Sequence, residues 1–142
     1  MARRTRIDRD GDRRSEARER ALALLYETES KQLTCEQVLA ALPVPPDPLA
    51  TLIVTGVGAN LERIDALIAA HAKGWTLARM AAIDRAVLRM ATFELLERPE
   101  VPVAVVLDEA VELAKRFSTE DSGRFVNGVL SAVERVARSR CP

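Results

Sequence analysis

Aromatic residues are scarce in this 142-residue chain, at 4% of the total, with one tryptophan and one tyrosine. Its core must therefore be built from Ala, Val, Leu and Ile. Histidine occurs once, as His71, and cysteine twice, as Cys35 and Cys141. A single histidine without a matching Cys, Ser or acidic constellation leaves a nucleophilic triad without its parts. Two cysteines so far apart offer neither zinc-type spacing nor a disulfide framework, which suits a reducing, cytoplasmic setting. Long apolar runs are missing too. The longest apolar-rich stretch, Leu49 to Leu61, is too short for a membrane span and holds two glycines. The N-terminal arginines are not followed by the apolar segment of a signal peptide. No Gly-rich phosphate loop or dinucleotide fingerprint occurs. The chain is therefore expected to be non-enzymatic and to need no cofactor or metal.

What is present is a soluble, globular composition, 48% apolar and 30% charged, with a formal net charge of zero. That balance hides an asymmetry. Residues 1–20 hold eight arginines and five acids, and the remainder 13 bases and 16 acids. Every base in the first segment is arginine, the side chain suited to phosphate contact and base stacking. Composition alone is equally compatible with a solubilising tail.

Residues 1–12 show no periodic apolar face and read as a mobile, arginine-rich extension. From about Arg14 the pattern turns helical, with Ala17, Ala21, Leu24, Leu25 and Thr28 on one stripe. Arg14 and Arg18, one turn apart, fall beside its edge. Tyr26 points roughly opposite the stripe centre at 100° per residue, which puts an aromatic on the outer face. Thr34 suits the N-cap of a short helix reaching Leu42, which Pro43, Pro45 and Pro46 stop. Asp47-Pro48 reads as N-cap and first residue of a third helix running to about Ala72, ended by Gly74. Gly56 and Gly58 cost that helix about 1 kcal/mol each against alanine, which points to close helix packing. A brief helix is expected within Trp75–Ala82, then a longer one to Leu96 before Arg98-Pro99. Glu94 lies on the apolar face of that helix and needs a partner, for which Arg98 is the local candidate. Pro102 opens the next helix, ending near Phe117, and the last starts around Asp121 or Ser122. Sustained alternation is absent, so the expectation is an all-α fold of six to seven helices. The proline-containing loops and Gly74 suggest two packed subdomains, residues 13–73 and 74–138.

Two features call for a chemical reading. Asp108, Glu109 and Glu112 could be taken as paired carboxylates, but Glu112 lies one turn from Lys115 and Arg116, as on a solvated salt-bridging face. In the segment from Asp121 to Leu130, Asn127 and Gly128 sit inside an apolar-periodic helix against local propensity, a mark of function or tight packing. Phe125 beside Arg124 could stack on an unpaired base while the arginine meets phosphate. Equally, Phe125 could be core and Asn127 a helix-packing hydrogen bonder; the residues alone leave both open.

Taken together, Arg14-Ser15-Glu16-Ala17-Arg18 and Ala21-Leu22-Ala23-Leu24-Leu25-Tyr26 resemble the opening helix of the NusB family of transcription antitermination factors. Ile83-Asp84-Arg85-Ala86-Val87-Leu88-Arg89, Val101-Pro102, Asp108 to Lys115 and Phe125-Val126-Asn127-Gly128-Val129-Leu130 extend the resemblance over residues 13–137. It implies an all-helical protein that binds the boxA element of ribosomal RNA leader transcripts together with NusE, a small-subunit ribosomal protein. The pair helps to load an antitermination complex on RNA polymerase. By position, Arg13, Arg14, Arg18, Arg124 and Phe125 match the RNA-binding surface, and Tyr26, Asp84 and Asp121 the NusE-facing positions. Asp84 stands where some members carry glutamate, and Ser15 where some place another arginine. A homodimer that hides the RNA face is compatible with the apolar content, and so is a monomer.

Other readings have less to support them. The same helical domain begins some rRNA cytosine methyltransferases, but no region here would hold a methyl donor. A helix-turn-helix module would need a recognition helix with several base-reading polar residues, and none is convincing. A scaffold without a nucleic-acid role would show no salt-dependent RNA binding.

Overall fold

The computed structural model describes residues 6–139, so Cys141 and the first arginines lie outside the described residues. These residues form seven α-helices: α1 (Arg6–Lys31), α2 (Cys35–Ala40), α3 (Pro48–Ala59), α4 (Leu61–His71), α5 (Ala82–Glu97), α6 (Val103–Phe117) and α7 (Glu120–Ala137). A single 3-10 turn, Leu77–Arg79, lies between α4 and α5. The all-α architecture is as expected from the periodicity.

Local chemistry sets most of the boundaries. Thr34 caps α2 through a reciprocal capping box, its hydroxyl accepting from the Gln37 amide while the Gln37 side chain accepts from the Thr34 amide. Asp47 accepts from the Leu49 amide at 2.8 Å, and Pro48 takes the first position of α3. Gly74 has φ +79°, the left-handed backbone that a glycine adopts without strain. Thr119 caps α7 by accepting from the Ser122 amide.

Two boundaries differ from the sequence reading. Helix α1 begins at Arg6 rather than near Arg14, because its first turns are polar and carry no apolar stripe to signal them. The long third helix is in fact two. Asn60 ends α3 and starts α4, and its side-chain amide donates to the Gly56 carbonyl at 2.8 Å, competing with the backbone ladder.

The most enclosed helix is α5, buried along almost every face from Ala86 to Leu95. Helices α1, α3, α4, α6 and α7 all pack against it. One contiguous apolar core joins Leu24 and Leu25 of α1 and Ile53 and Val54 of α3 to Val87 and Leu88 of α5 and Val126 and Leu130 of α7. Each such fully buried aliphatic side chain contributes about 1.5–3 kcal/mol. Gly56 lets α3 approach α5: a β-carbon there would fall 2.0 Å from Cε1 of Phe93. Gly58 similarly faces Cys35 on α2, where a β-carbon would meet the Cys35 β-carbon at 3.0 Å. Close helix packing at these two glycines is the role expected of them.

Candidate nucleic-acid and partner interface

The polar first turns of α1 place Arg13 and Arg14 in solvent. One turn further, Arg18 does the opposite. It is only 3% exposed, and its Nε donates to both carboxylate oxygens of Glu94 on α5, at 3.2 and 3.1 Å. Its Nη1 also lies 3.9 Å from Glu109 on α6. Arg18, expected on the RNA-binding surface, here has its charge paired inside the protein. Leu22, four residues on, is buried as well, so the apolar arc of α1 is wider than the stripe first read, and Arg18 falls within it. Glu94 takes its second cation from Arg98 at 3.2 Å, the partner expected from spacing. Ser15 donates to Glu109 at 2.6 Å, which ties the arginine-bearing turns to α6. Glu109 thus serves a helix contact rather than catalysis.

On α7, Arg124 is 84% exposed in its side chain and pairs with Asp121 at 2.7 Å, one turn back. Phe125 is half-buried, packing partly on the core and partly against Trp75, so it is neither wholly core nor free. Asn127 and Gly128 are both exposed. Gly128 has open space where a β-carbon would stand, so tight packing does not explain it. The glycine that does serve packing is Gly123, whose β-carbon would meet Lys115 at 2.9 Å. The solvent face of α7 thus offers Arg124, Asn127 and an uncovered stretch of backbone. Among the described residues, no hydrogen bond, ion pair or ring contact joins Arg13 or Arg14 to Phe125. The polar link from this part of α1 toward the end of α6 is Glu19 with Arg116, at 3.2 Å, and Arg116 lies 4.8 Å over the Phe117 ring.

The partner-facing positions divide in the same way. Tyr26 is 45% exposed, as helical geometry predicts, and Asp121 is exposed. Asp84 is not: it is 8% exposed, and its Oδ2 accepts from the Ser122 hydroxyl at 3.0 Å. Expected to face a partner, it here makes an internal contact, because the first turns of α5 and α7 meet there. Its other oxygen, Oδ1, has no hydrogen-bond partner among the described residues. Glu29, one turn beyond Tyr26, pairs with Arg85, the neighbour of Asp84. That contact brings the Tyr26 turn of α1 beside the start of α5, and so the three positions gather at one end of the molecule.

Glu29 belongs to a network that sequence spacing did not reveal. Arg85 grips its carboxylate with two nitrogens and also donates to the carbonyls of Leu77 and Met80, at 2.6 and 2.9 Å. Arg89 donates to Glu29 at 3.0 Å and, with two bonds of 2.9 Å, to Asp65 on α4. The hydrogen bond from Arg85 holds the Glu29 carboxyl below its ordinary range, and the same bond raises the Arg85 guanidinium. A cavity of about 640 Å³ opens between α1, α2, α3 and α5, lined in part by Leu33, Cys35, Leu39 and Leu61. Burial pushes the Cys35 thiol up, which keeps it protonated and poorly nucleophilic. None of the site residues read from the sequence lines this cavity. Among the described residues no group of His, Cys, Asp and Glu is placed to hold a metal ion, and no helix is long and apolar enough to cross a membrane.

Comparison with known proteins bears on the same residues. The NusB family model matches residues 15–135. The transcription antitermination protein NusB of Saccharopolyspora erythraea is 49% identical over 126 residues, covering 84% of this chain and 85% of the relative. The solved structure of T. maritima NusB superposes with a TM-score of 0.76 at 36% identity, covering 91% of this chain and 93% of that one. A structure of the antitermination factors NusB and NusE in complex with double-stranded RNA aligns with a TM-score of 0.73 at 26% identity, covering 87% of this chain and 96% of the other. The span of the family match, the identity and the shared arrangement of helices agree: this chain belongs to the NusB family.

Proposed function

We propose that this chain is a transcription antitermination factor that binds boxA RNA of ribosomal RNA leader transcripts together with NusE and so promotes processive rRNA transcription. Family membership carries the reading, and the solved complex of a relative with NusE and RNA supports it. The local geometry is compatible. Arg13, Arg14 and Arg124 are exposed and available to phosphate, Arg124 by leaving its solvated pair with Asp121, and α7 presents Asn127 and bare backbone beside Phe125. Arg18 and Asp84 contribute from inside, Arg18 by fastening the arginine-bearing part of α1 to α5 and Asp84 by joining the starts of α5 and α7. Tyr26 and Asp121 supply the exposed NusE-facing groups, an aromatic anchor beside a carboxylate. With zero net charge, the chain has little long-range attraction for RNA and depends on a partner to complete the surface.

The test is RNA binding to a boxA leader against a scrambled control, with and without NusE. Affinity for boxA is expected to rise at least several-fold when NusE is present. Tyr26→Ala should weaken NusE association while leaving helical content unchanged. Equal boxA affinity with and without NusE, or no preference over the scrambled RNA, would overturn the reading.

A further inference from the structure

The connector between α4 and α5 contains the chain's only tryptophan, Trp75, and leaves it 51% exposed. In a protein with so few aromatics, a ring that could bury 150–250 Å² stands half in water. It is nevertheless held in place. Its ring meets Phe125 of α7 edge to face, with centroids 6.1 Å apart and planes at 65°. The neighbourhood is cationic. Residues 72–81 include Lys73 and Arg79 and no acid. Both cations are exposed, and neither is in an ion pair among the described residues. Arg124, adjacent to Phe125, adds a third; its one ionic contact among the described residues is an exposed pair with Asp121, of the kind worth little in water.

An exposed aromatic could serve a protein or a nucleic acid, and the charge decides between them. An acid-free segment with two unpaired cations beside an indole matches the combination that single-stranded nucleic acid requires: a π-face for a base and positive charge for the phosphates on either side of it. We propose that Trp75 and Phe125 form a two-ring platform for one unpaired RNA base. Trp75 meets the base, Phe125 holds the indole in place, and Lys73, Arg79 and Arg124 meet the flanking phosphates. This rests on the RNA binding proposed above and adds to it a residue and a segment outside the positions assigned by family resemblance.

Because Trp75 is the only tryptophan, its fluorescence reports on the site without mutation. Titrating the parent protein with single-stranded boxA RNA, NusE present, should quench it in step with binding measured on labelled RNA. Trp75→Ala should weaken RNA binding about tenfold, and Trp75→Phe should recover most of that, with helical content unchanged in both. Lys73→Ala should reduce the slope of log affinity against log salt by about 0.7, as loss of one phosphate contact requires. The platform is overturned if RNA binds without altering the fluorescence, or if Trp75→Ala binds like the parent. It is also overturned if the indole responds to NusE alone and not to RNA. Arg14→Ala separates this failure from that of the wider reading: if it weakens binding while Trp75 variants do not, RNA binding stands and the platform falls. If the parent binds no RNA even with NusE, both fall.

Discussion

Helix α1 is fastened to α5 at two places, and the two fastenings have opposite polarity and opposite solvent exposure. Near the end of α5, α1 supplies the cation, Arg18, to Glu94, and the two side chains are 4% and 3% exposed. Near the start of α5, α1 supplies the acid, Glu29, to Arg85 and Arg89, and exposures range from 14% to 29%. The pairs run antiparallel, the earlier residue of α1 meeting the later residue of α5. Sliding or reversing one helix against the other would set like charges together or strand a buried one, so the two clamps select one register. They do not contribute alike. A pair closed off from water is held by geometry and is costly to break, whereas a half-solvated one owes less to Coulomb attraction and more to the hydrogen bonds it makes.

The sharpest test of this difference is Arg18→Ala. It leaves Glu94 buried with only Arg98, and should lower unfolding free energy by about 3–5 kcal/mol in a denaturant titration. A loss no larger than that of an exposed pair would mean that the inner clamp is as well solvated as the outer. Next in size is Arg138, just past α7, whose guanidinium donates to the carbonyls of Glu94, Arg98, Leu95 and Val101. It satisfies the open end of α5 beside the inner clamp, and Arg138→Ala should cost about 2 kcal/mol, read as a lower thermal midpoint.

The outer clamp should reveal itself through pH. Glu29 is held below its ordinary value near 4.5, chiefly by the Arg85 hydrogen bond. A depressed carboxyl stabilises the fold fully above its unfolded pKa and loses that contribution as pH falls through its folded value. Stability should therefore decline as pH is lowered below about 4.5, and Glu29→Gln should flatten part of that decline while lowering stability at neutral pH. An unchanged pH profile in Glu29→Gln would remove the carboxylate from the account. The smallest structural effect is expected at Arg14→Ala, one turn from Arg18 on the same helix. Its thermal midpoint should match the parent, while the salt slope of RNA binding falls by about 0.7. A destabilised Arg14→Ala would blur the division between the exposed and the buried arginine.

That pair of arginines also shows how far local sequence carries. Spacing placed Arg14 and Arg18 together at the edge of a stripe, and both looked like surface residues. What separates them is Glu94, 76 positions away, and no helical period carries that information. The acid itself was conspicuous on an apolar face, yet only its local partner Arg98 was visible. Local signals succeeded where local chemistry decides: the Thr34 box, Asp47-Pro48, the turn at Gly74 and the outward Tyr26 all stand. The division at Asn60 is hidden in the sequence because the apolar pattern runs on through it, while Gly56 and Gly58 do serve the packing expected of them. Asp84 resembles a partner contact by position, but its burial follows from how the first turns of α5 and α7 pack side by side. Trp75 carries no such signal, because it lies in a connector, where periodicity is silent, and its ring partner is 50 positions away.

Arg138 carries a consequence for how the molecule is made. The end of α5 has its carbonyls satisfied by a side chain 40 or more residues further along the chain. During synthesis, α1 through α5 emerge first and can collapse around Glu94. Until residue 138 has left the ribosome, however, the corner between α5 and α6 remains exposed to water and to proteases. A nascent chain stalled or shortened before α7 would therefore lack both the core side chains Val126 and Leu130 and the guanidinium that covers that corner.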